Sequence, residues 1–508
     1  MKIKHIAIAL FGIGALSGCT NLDEEVYSQI SKDKFFESQE LLTAYAGRAY
    51  AALQGYGSEQ SLWTLNLQVT DECAAPVNCV NDWTKSRYKE LQTHIIPSSN
   101  KLVRQGWDYC FDAIAACNDV IYQTERSTIE FEGKAKILSE MRVLRAYLYM
   151  MAIDGWGNVP FSIDAADDSY PEQKDRAYVF DFIVKEVNDC LPNLDEEPST
   201  ANYGRVTQAM ANTLLAKMYL NAEEWTGTAM WKEAEDACYA VMSAGNYIIE
   251  DKYKTNFEVQ NASSRENIFV IPYSTVYTKS DHNDFVIYIM TLAPQHSKTF
   301  NIPTTCWDGL VCQPDFFATY DAADTRRSDT WLYGQQYDID GAAIDGFVLN
   351  PIFDENLYST GKGENDGARL WKWTYQTDGL LSSDQVSMDN DFALFRYADV
   401  VLMWVEAKLR QGQGAATLSN ADFRKIRTRA GLQPFTAAEL TLDNLLLERG
   451  HELAWEGWRR QDLIRYGKYL DKWWAKPEVS SSYAKLYPIP SERLSVNPNL
   501  QQNDGYTK

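Results

Sequence analysis

The 508-residue sequence has few of the features that mark an enzyme or a cofactor-binding protein. It contains only five histidines, and the His451-Glu452 pair lacks the second histidine of an HExxH zinc motif. There is no GxSxG elbow, no GxGxxG loop after a strand, no EF-hand loop and no CxxC pair, and Gly361-Lys362-Gly363 lacks the rest of a P-loop. The sequence therefore predicts no enzyme, no catalytic residue, no metal site and no cofactor.

Basic residues and long apolar runs are also scarce. The 48 lysines and arginines face 70 acidic residues, which gives a formal net charge of −22 and a pI of about 4.7. A surface of that sign repels phosphate backbones, so we expect no nucleic-acid partner. After the N-terminus no apolar run approaches the ~18 residues that a membrane-spanning helix needs, so we expect none.

Aromatic residues, in contrast, are abundant. The chain has 15 tryptophans, 30 tyrosines and 20 phenylalanines, which together make up 13% of it. A single core can bury only part of such a set, so some rings are expected to reach the surface.

The first residues resemble an export and lipidation signal. Lys2 and Lys4 precede an apolar run at 6–16, which is too short to span a membrane and suits a secretory signal peptide. The run ends in Leu16-Ser17-Gly18-Cys19, which resembles the lipobox of bacterial lipoproteins. That resemblance implies cleavage before Cys19, lipidation of its thiol and new amino group, and membrane anchoring. The acidic residues at 23–25 resemble the surface-export signal of Bacteroidota lipoproteins, although a solvated tether would have the same composition.

Eight cysteines remain besides Cys19, and export would place them in an oxidising compartment. Cys110 and Cys117 lie seven residues apart in a predicted helix, about 10 Å by helical rise, so we predict core thiols there and no bridge. Two pairs could each close a small loop, and the sequence does not fix the pairing: Cys73 with Cys79, and Cys306 with Cys312.

Helical periodicity dominates both ends of the chain. Small residues and aromatics alternate between neighbouring predicted helices, which is typical of helical hairpins of tetratricopeptide type. We therefore predict a mainly α fold in which such hairpins form a scaffold. The predicted helices are 107–124, 137–155, 180–191, 207–222, 230–244, 395–411, 420–429 and 440–467.

The periodicity fails between residues 267 and 379. Turn formers and aromatics dominate there, with short β-like runs at 268–273, 285–289 and 370–375. Long ordered loops are usually functional, so we expect the binding face in this region. The predicted organisation is one compact fold with a signal peptide at 1–18, an N-terminal helical-repeat part at 19–266, a loop-rich ligand-binding region at 267–394 and a C-terminal helical part at 395–508.

Several segments, taken in order, resemble the SusD/RagB family of outer-membrane nutrient-binding lipoproteins. The resemblance covers nearly the whole chain after Cys19 and implies a SusD-like fold. The segments are Phe35-Phe36 with 41–53, 70–72 with 82–83, 107–121 (WDYCFDAIAACNDVI), 141–160 (MRVLRAYLYMMAIDGWGNVP), 390–407 (NDFALFRYADVVLMWVEA), 425–431 (KIRTRAG), 448–465 (ERGHELAWEGWRRQDLIR) and 497–506.

The same resemblance implies that aromatic residues on loops recognise the ligand. Tryptophan and tyrosine offer flat, rigid platforms for the apolar C–H face of a sugar ring. Trp83 and Trp307 are the first candidates for binding carbohydrate, followed by Tyr277, Arg87 and Tyr88. Each aromatic ring could instead pack beneath its own loop.

The charged residues of the signature segments predict ion pairs between packed helices. Glu448, Glu452 and Glu456 are expected to share one face of a single helix, with Glu456 one turn before Arg460. Similar packing pairs are expected for the other arginines of this helix and for Arg142, Arg145 and Arg396. An anion site is the alternative.

These observations predict a lipid-anchored outer-membrane protein that faces the cell exterior, binds oligosaccharide or polysaccharide and delivers it to a SusC-like TonB-dependent transporter. Three alternatives stay open: a RagB-like subunit that captures peptides, a surface glycosidase whose carboxylate pair the sequence does not reveal, and a scaffold that binds only protein.

Overall fold

A computed structural model describes residues 36, 38–76, 87–275, 285–303, 305–354, 363–375, 388–474 and 476–507. None of the helices found in these ranges is long and apolar enough to cross a membrane. The fold is mainly α, as predicted.

The helices begin where short polar side chains cap them. Asn100 Oδ1 accepts from the backbone N–H groups of Leu102 and Val103, and Asp175 and Thr207 cap later helices in the same way. The α-helices of the described ranges are α1 Gln39–Ala51, α2 Leu62–Gln68, α3 Arg87–Gln92, α4 Lys101–Arg126, α5 Lys134–Trp156, α6 Arg176–Cys190, α7 Gln208–Leu220, α8 Ala222–Thr226, α9 Trp231–Ala244, α10 Ile287–Thr291, α11 His296–Phe300, α12 Pro314–Ala318, α13 Arg326–Thr330, α14 Tyr397–Arg410, α15 Ala421–Arg429, α16 Leu442–Glu452, α17 Arg459–Arg465 and α18 Ser491–Val496.

The strands are short and form separate two-stranded antiparallel ladders in the part of the chain that the structure describes. The pairs are β1–β5, β2–β3, β4–β10, β6–β9 and β7–β8. Their bounds are β1 Cys73–Ala74, β2 Val159–Pro160, β3 Gln173–Lys174, β4 Asn267–Ile271, β5 Val311–Cys312, β6 Trp331–Leu332, β7 Gly334–Tyr337, β8 Ala343–Leu349, β9 Arg369–Leu370 and β10 Phe392–Arg396.

Helix pairs build the scaffold. The α4 and α5 helices pack together, α5 packs on α6, and α7 packs on α9, which in turn packs on α14. Small residues such as Ala234 and Ala237 are buried at these contacts, where they let the helices approach closely. The predicted helices at 107–124, 137–155, 180–191, 207–222, 230–244, 395–411 and 420–429 are confirmed, with ends shifted by a few residues.

The predicted helix at 440–467 is wrong in its middle. It divides into α16 and α17, because Trp455 and Gly457 have φ of +60° and +90°. A Cβ at Gly457 would lie 2.6 Å from the Tyr56 hydroxyl, so the packing favours glycine there. The predicted Glu456–Arg460 pair is also wrong: Glu456 contacts Arg396, and Arg460 contacts Asp154 at 2.8 Å.

The arginines of the signature segments form ion pairs, as predicted, and most of these pairs are buried. Arg396 donates to Glu266, Glu452 and Glu456 at 2.5–3.2 Å, and Arg429 bridges Glu266 and Glu452 at 2.6 Å. The remaining pairs join Arg142 and Arg145 to Glu186, Arg449 to Asp399 and Asp462, Arg459 to Asp71, and Arg465 to Glu406 and Asp462.

The two ends of the loop-rich region meet in one ladder. In the β4–β10 pair, Asn267 lies opposite Arg396 and Ile271 opposite Phe392, so the region leaves the helical scaffold and returns to it at the same place. This closure supports the predicted division at 267–394, which stays a prediction. The β-like run at 285–289 is not a strand, because the chain turns there into the short helix α10.

Candidate functional site

Trp307 lies in a loop that backbone hydrogen bonds hold against α10. Its own N–H donates to the carbonyl of Ile289 at 2.7 Å, and the N–H groups of Asp308, Gly309 and Leu310 donate to carbonyls of Leu292 and Met290 at 2.9–3.0 Å. The Trp307 ring is half-buried and packs on the main core. The backbone of this loop is therefore ordered and the Trp307 ring is partly exposed, while its role in binding stays a prediction.

A buried ion pair fixes the same loop from its other side. Asp308 has φ of +53°, and its Oδ1 accepts from Arg369 at 2.7 Å. The Arg369 guanidinium also donates to the backbone carbonyls of Glu364, Asp366 and Gly367. The pair therefore ties the Trp307 loop to the chain around β9. We expect Asp308 and Arg369 to position Trp307, and they were not among the candidates drawn from the sequence.

Arg87 and Tyr88 begin α3, beside the 77–86 segment. The Arg87 guanidinium is half-buried, lies 3.7 Å from a carboxylate oxygen of Glu59 and sits over the Tyr88 ring. Tyr88 is fully buried, and that burial raises the pKa of its hydroxyl far above the usual range. Burial favours a packing role for Tyr88, while Arg87 has an exposed edge. Their roles in binding stay predictions.

Three other predicted residues lie outside the described residues: Trp83, Tyr277 and Cys19. Two residues near Tyr277 and Trp307 in the sequence, Tyr273 and His296, are packed in the interior. Tyr273 is buried and donates its hydroxyl proton to the Gln54 carbonyl at 2.6 Å. His296 is buried with Nδ1 accepting from Ala293 N–H, and burial lowers the pKa of its ring to about 3.

The residues at 70–72, which resemble an early binding-loop segment, hold the fold together instead. Asp71 forms a bidentate pair with Arg459 at 2.7–2.8 Å. Glu72 is buried and accepts from the Trp455 N–H at 3.1 Å, and burial raises the pKa of this carboxyl to about 8. Both carboxylates therefore connect the N-terminal and C-terminal helical parts.

Trp371 is a second half-buried tryptophan of the loop-rich region that the sequence reasoning missed. Its ring stacks on Phe300 with centroids 5.0 Å apart, and the Lys254 ammonium lies 4.2 Å from its centroid. Burial lowers the pKa of Lys254 to about 7. Phe300 and Lys254 therefore occupy part of the surface of the Trp371 ring. The WKW run at 371–373 was its only signal.

The scaffold also carries an open groove of about 760 Å³, far in sequence from Trp307. Its walls come from α4, the 160–171 segment and α18, and Tyr170, 56% exposed, stands at its edge. Asp112, Asp119 and Asp164 give the groove acidic character. The pKa of Asp112 is raised, mainly by burial and secondly by the charge of the neighbouring Asp108. No group of three or more His, Cys, Asp or Glu side chains suited to a metal ion occurs in the described ranges.

Two family descriptions match most of the chain. The family described as starch-binding associating with the outer membrane matches residues 21–279, and the SusD family matches residues 313–506. Both descriptions concern SusD-like proteins, and the matches together leave residues 280–312 of the loop-rich region uncovered. The chain belongs to the SusD-like family described as starch-binding associating with the outer membrane, whose model covers just over half of it.

Two relatives match most of the chain. The starch-binding protein SusD of Bacteroides thetaiotaomicron is 28% identical over 495 residues, which cover 89% of this chain and 86% of the relative. A SusD-like protein of Bacteroides ovatus is 22% identical, with 92% and 83% covered. The names of these relatives describe binding or family membership, not catalysis.

Solved structures share the fold. A laminarin-binding SusD-like protein superposes with a TM-score of 0.76 at 21% identity, covering 92% of this chain and all of the other. The surface glycan-binding protein A of Bacteroides thetaiotaomicron, solved in complex with laminarihexaose, gives a TM-score of 0.73 at 20% identity, with 92% and 99% covered.

Proposed function

We propose that this protein is a glycan-binding lipoprotein of the outer membrane. Lipid attached at Cys19 anchors it facing the cell exterior, and its loop-rich region captures oligosaccharide or polysaccharide. It then delivers the glycan to a SusC-like TonB-dependent transporter, against which the helical scaffold docks. It performs no catalysis of its own.

The observation that carries the glycan-binding proposal is the Trp307 loop. Four backbone bonds and the Asp308–Arg369 pair order this loop before any ligand arrives, so little conformational entropy is lost on binding. Each ring stacked on a sugar contributes about 0.5–1.5 kcal/mol beyond the area it buries. A few such contacts give modest affinity, which suits a protein that must release its ligand to a transporter.

Family membership supports the remaining steps. Relatives named as starch-binding or laminarin-binding make these two glucans the first ligands to test. The proposed transporter partner follows from membership of the family. The proposed lipid anchor follows from the resemblance of residues 16–19 to a lipobox.

The test is calorimetry of the chain from residue 19 onward against starch, laminarin and other polysaccharides. The variants are Trp307→Ala and Trp83→Ala. Trp404→Ala is the matched control, because Trp404 is also half-buried on the core but lies on the scaffold helix α14. We expect Trp307→Ala to weaken binding by about 2 kcal/mol, roughly thirtyfold, and Trp404→Ala to leave it unchanged.

Other outcomes distinguish the alternatives. Binding that survives both loop substitutions would move the site elsewhere on the protein. No glycan binding together with binding of a peptide panel would favour peptide capture. Release of reducing sugar at high protein concentration would contradict the absence of catalysis, and co-purification with a protein partner without any ligand would favour a scaffold.

A further inference from the structure

Two cysteines lie directly opposite each other across the β1–β5 ladder. Cys73 pairs with Cys312, and Ala74 pairs with Val311. The Gln313 N–H donates to the Glu72 carbonyl at 3.4 Å, so the hydrogen-bonded pair of this ladder is Glu72 with Gln313. Since the two kinds of pair alternate in an antiparallel ladder, Cys73 and Cys312 form a non-hydrogen-bonded pair.

This position has the backbone geometry that a disulfide needs. Opposed residues of a non-hydrogen-bonded pair have Cα atoms about 4.5 Å apart, and their side chains leave the same face of the ladder. Disulfides span Cα separations of about 4.4–6.8 Å. Both thiols are free in this structure, and the Cys312 thiol donates to the Gln313 carbonyl at 3.5 Å. A bridge therefore requires the two side chains to turn towards each other while the pairing of the strands is kept.

The surroundings of the two thiols are dry and hold them in place. Both cysteines are fully buried, and burial raises the pKa of each thiol well above its usual range. Gln68 Nε2 donates to Cys73 Sγ at 3.0 Å, a contact that a disulfide sulfur can also accept. Once folded, such thiols are shielded from exchange, so a bridge has to form while β1 and β5 are coming together.

We infer that Cys73 and Cys312 form a disulfide in the exported protein. The two thiols give up two protons and two electrons to a protein or small-molecule disulfide, which becomes two thiols as the new S–S bond forms. The inference depends on the proposed function only through export to an oxidising compartment. The sequence left two pairings open, Cys73 with Cys79 and Cys306 with Cys312. A Cys73–Cys312 disulfide excludes both of them.

The bridge would join the two segments that carry the predicted tryptophan platforms. Cys73 precedes Trp83 by ten residues, and Cys312 follows Trp307 by five. Cross-linking residues so far apart in sequence restricts the unfolded chain, and locally it fixes the base of both segments. Reduction should therefore lower the melting temperature by several degrees and loosen the approach to the Trp307 loop.

The test maps the thiols of the full chain after export, with Cys19→Ser to remove the lipidated thiol. The protein is unfolded without reductant, alkylated and digested, and the peptides are identified by mass spectrometry. We expect a linked pair of peptides containing Cys73 and Cys312, and alkylated Cys110, Cys117, Cys190 and Cys238. Alkylation of Cys73 and Cys312, or linkage of either to Cys79 or Cys306, would overturn the inference.

Melting temperatures give a second readout. Reductant should lower the melting temperature of the exported protein, and it should have no effect on the Cys73→Ser, Cys312→Ser or double variant. A reductant effect that persists in these variants would contradict the bridge. Glycan binding is scored separately, so a bridge without glycan binding would count against the proposed function alone, and glycan binding without a bridge against this inference alone.

Discussion

Buried arginine–carboxylate contacts hold both the C-terminal helices and the loop of Trp307, but the two arrangements differ in connectivity. Glu452 meets the guanidinium groups of Arg326, Arg396 and Arg429 at 2.6–3.2 Å. Among the described residues, Arg369 has a single carboxylate partner, Asp308, and otherwise donates to backbone carbonyls.

The difference in connectivity predicts different effects of mutation on stability and on glycan binding. The network around Glu452 joins α13, β10, α15 and α16, so losing one member leaves several charges buried without a partner. The Asp308–Arg369 pair joins one loop to the chain beside it. Changes in the network should therefore affect the whole fold, and changes in the pair should affect mainly the position of Trp307.

The largest effect is expected from Glu452→Ala. Removing this carboxylate leaves three buried arginines short of an acceptor, which should lower the free energy of unfolding by about 3–5 kcal/mol. Urea denaturation followed by circular dichroism measures it. Glu130→Ala is the control, because Glu130 is 83% exposed in its pair with Lys134 and should cost less than about 1 kcal/mol. If Glu452→Ala and Glu130→Ala lowered the free energy of unfolding by similar amounts, the special contribution of the buried network would be refuted.

Acid should destabilise the scaffold in two stages. Burial lowers the pKa of His94 and of His296 to about 3, against about 6.5 in the unfolded chain. The unfolded form takes up protons first, so the contribution of these two histidines is full above pH 6.5 and falls below it, by roughly 2 kcal/mol per histidine at pH 5. Glu72 opposes part of this slope, because burial raises the pKa of its carboxyl to about 8. Urea midpoints at pH 7, 6 and 5 measure the slope, and His296→Gln should make it shallower.

The second stage involves the ionic network. Burial alone would raise the pKa of Glu452, but Arg429, Arg396 and Arg326 outweigh it and hold that pKa at about 2. Stability from this carboxylate is therefore present above the unfolded pKa of about 4.3 and is lost as the pH falls from there towards 2. A flat stability profile between pH 7 and 3 would contradict both stages.

A smaller effect on stability is expected from Asp308→Asn. Asparagine tolerates the positive φ at this position as well as aspartate does, so the backbone is retained while the charge is removed. Loss of a charged hydrogen bond should lower the free energy of unfolding by about 2 kcal/mol. Glycan affinity should fall as well, by less than in Trp307→Ala.

The control for this variant is Asp345→Asn, on the exposed face of the β7–β8 hairpin, which should change neither quantity. If Asp308→Asn lowered stability but left glycan affinity intact, the loop would not depend on this pair for its binding geometry. That result would remove Asp308 and Arg369 from the list of positioning residues.

The sequence predicts those parts of the fold that depend on local patterns. Amphipathic periodicity located most of the scaffold helices, because each buries one face against a neighbour. It missed the break between α16 and α17, since Gly457 is constrained by Tyr56, which is 401 residues away in sequence. Likewise the apolar run at 285–289 resembles a strand, and only the hydrogen bonds from 307–310 show why it forms a short helix instead.

The site was predictable only in part for the same reason. Resemblance to a family pointed to Trp307, and the aromatic content supported it. The partners that position the ring, Asp308 and Arg369, are 61 residues apart and carry no motif. Tyr88 was a candidate of lower rank than Trp307, and its burial depends on contacts that no local pattern encodes.

The smallest effect is expected from Tyr170→Ala, in the groove of the scaffold. This groove is larger than the space that one ring platform offers, so volume alone would place a ligand there. Tyr170, however, lies outside the loop-rich region in which we propose that the ligand binds, and its side chain is 56% exposed. Asn499 and Asn497 donate to the carbonyls of Tyr170 and Pro171, so the segment that carries it is held in place without this side chain. We therefore expect glycan affinity within twofold of wild type and a change in unfolding free energy below about 0.5 kcal/mol, as for most surface substitutions. Calorimetry beside Trp307→Ala decides the matter: a loss in Tyr170→Ala with unchanged binding in Trp307→Ala would move the glycan site from the loops to the scaffold.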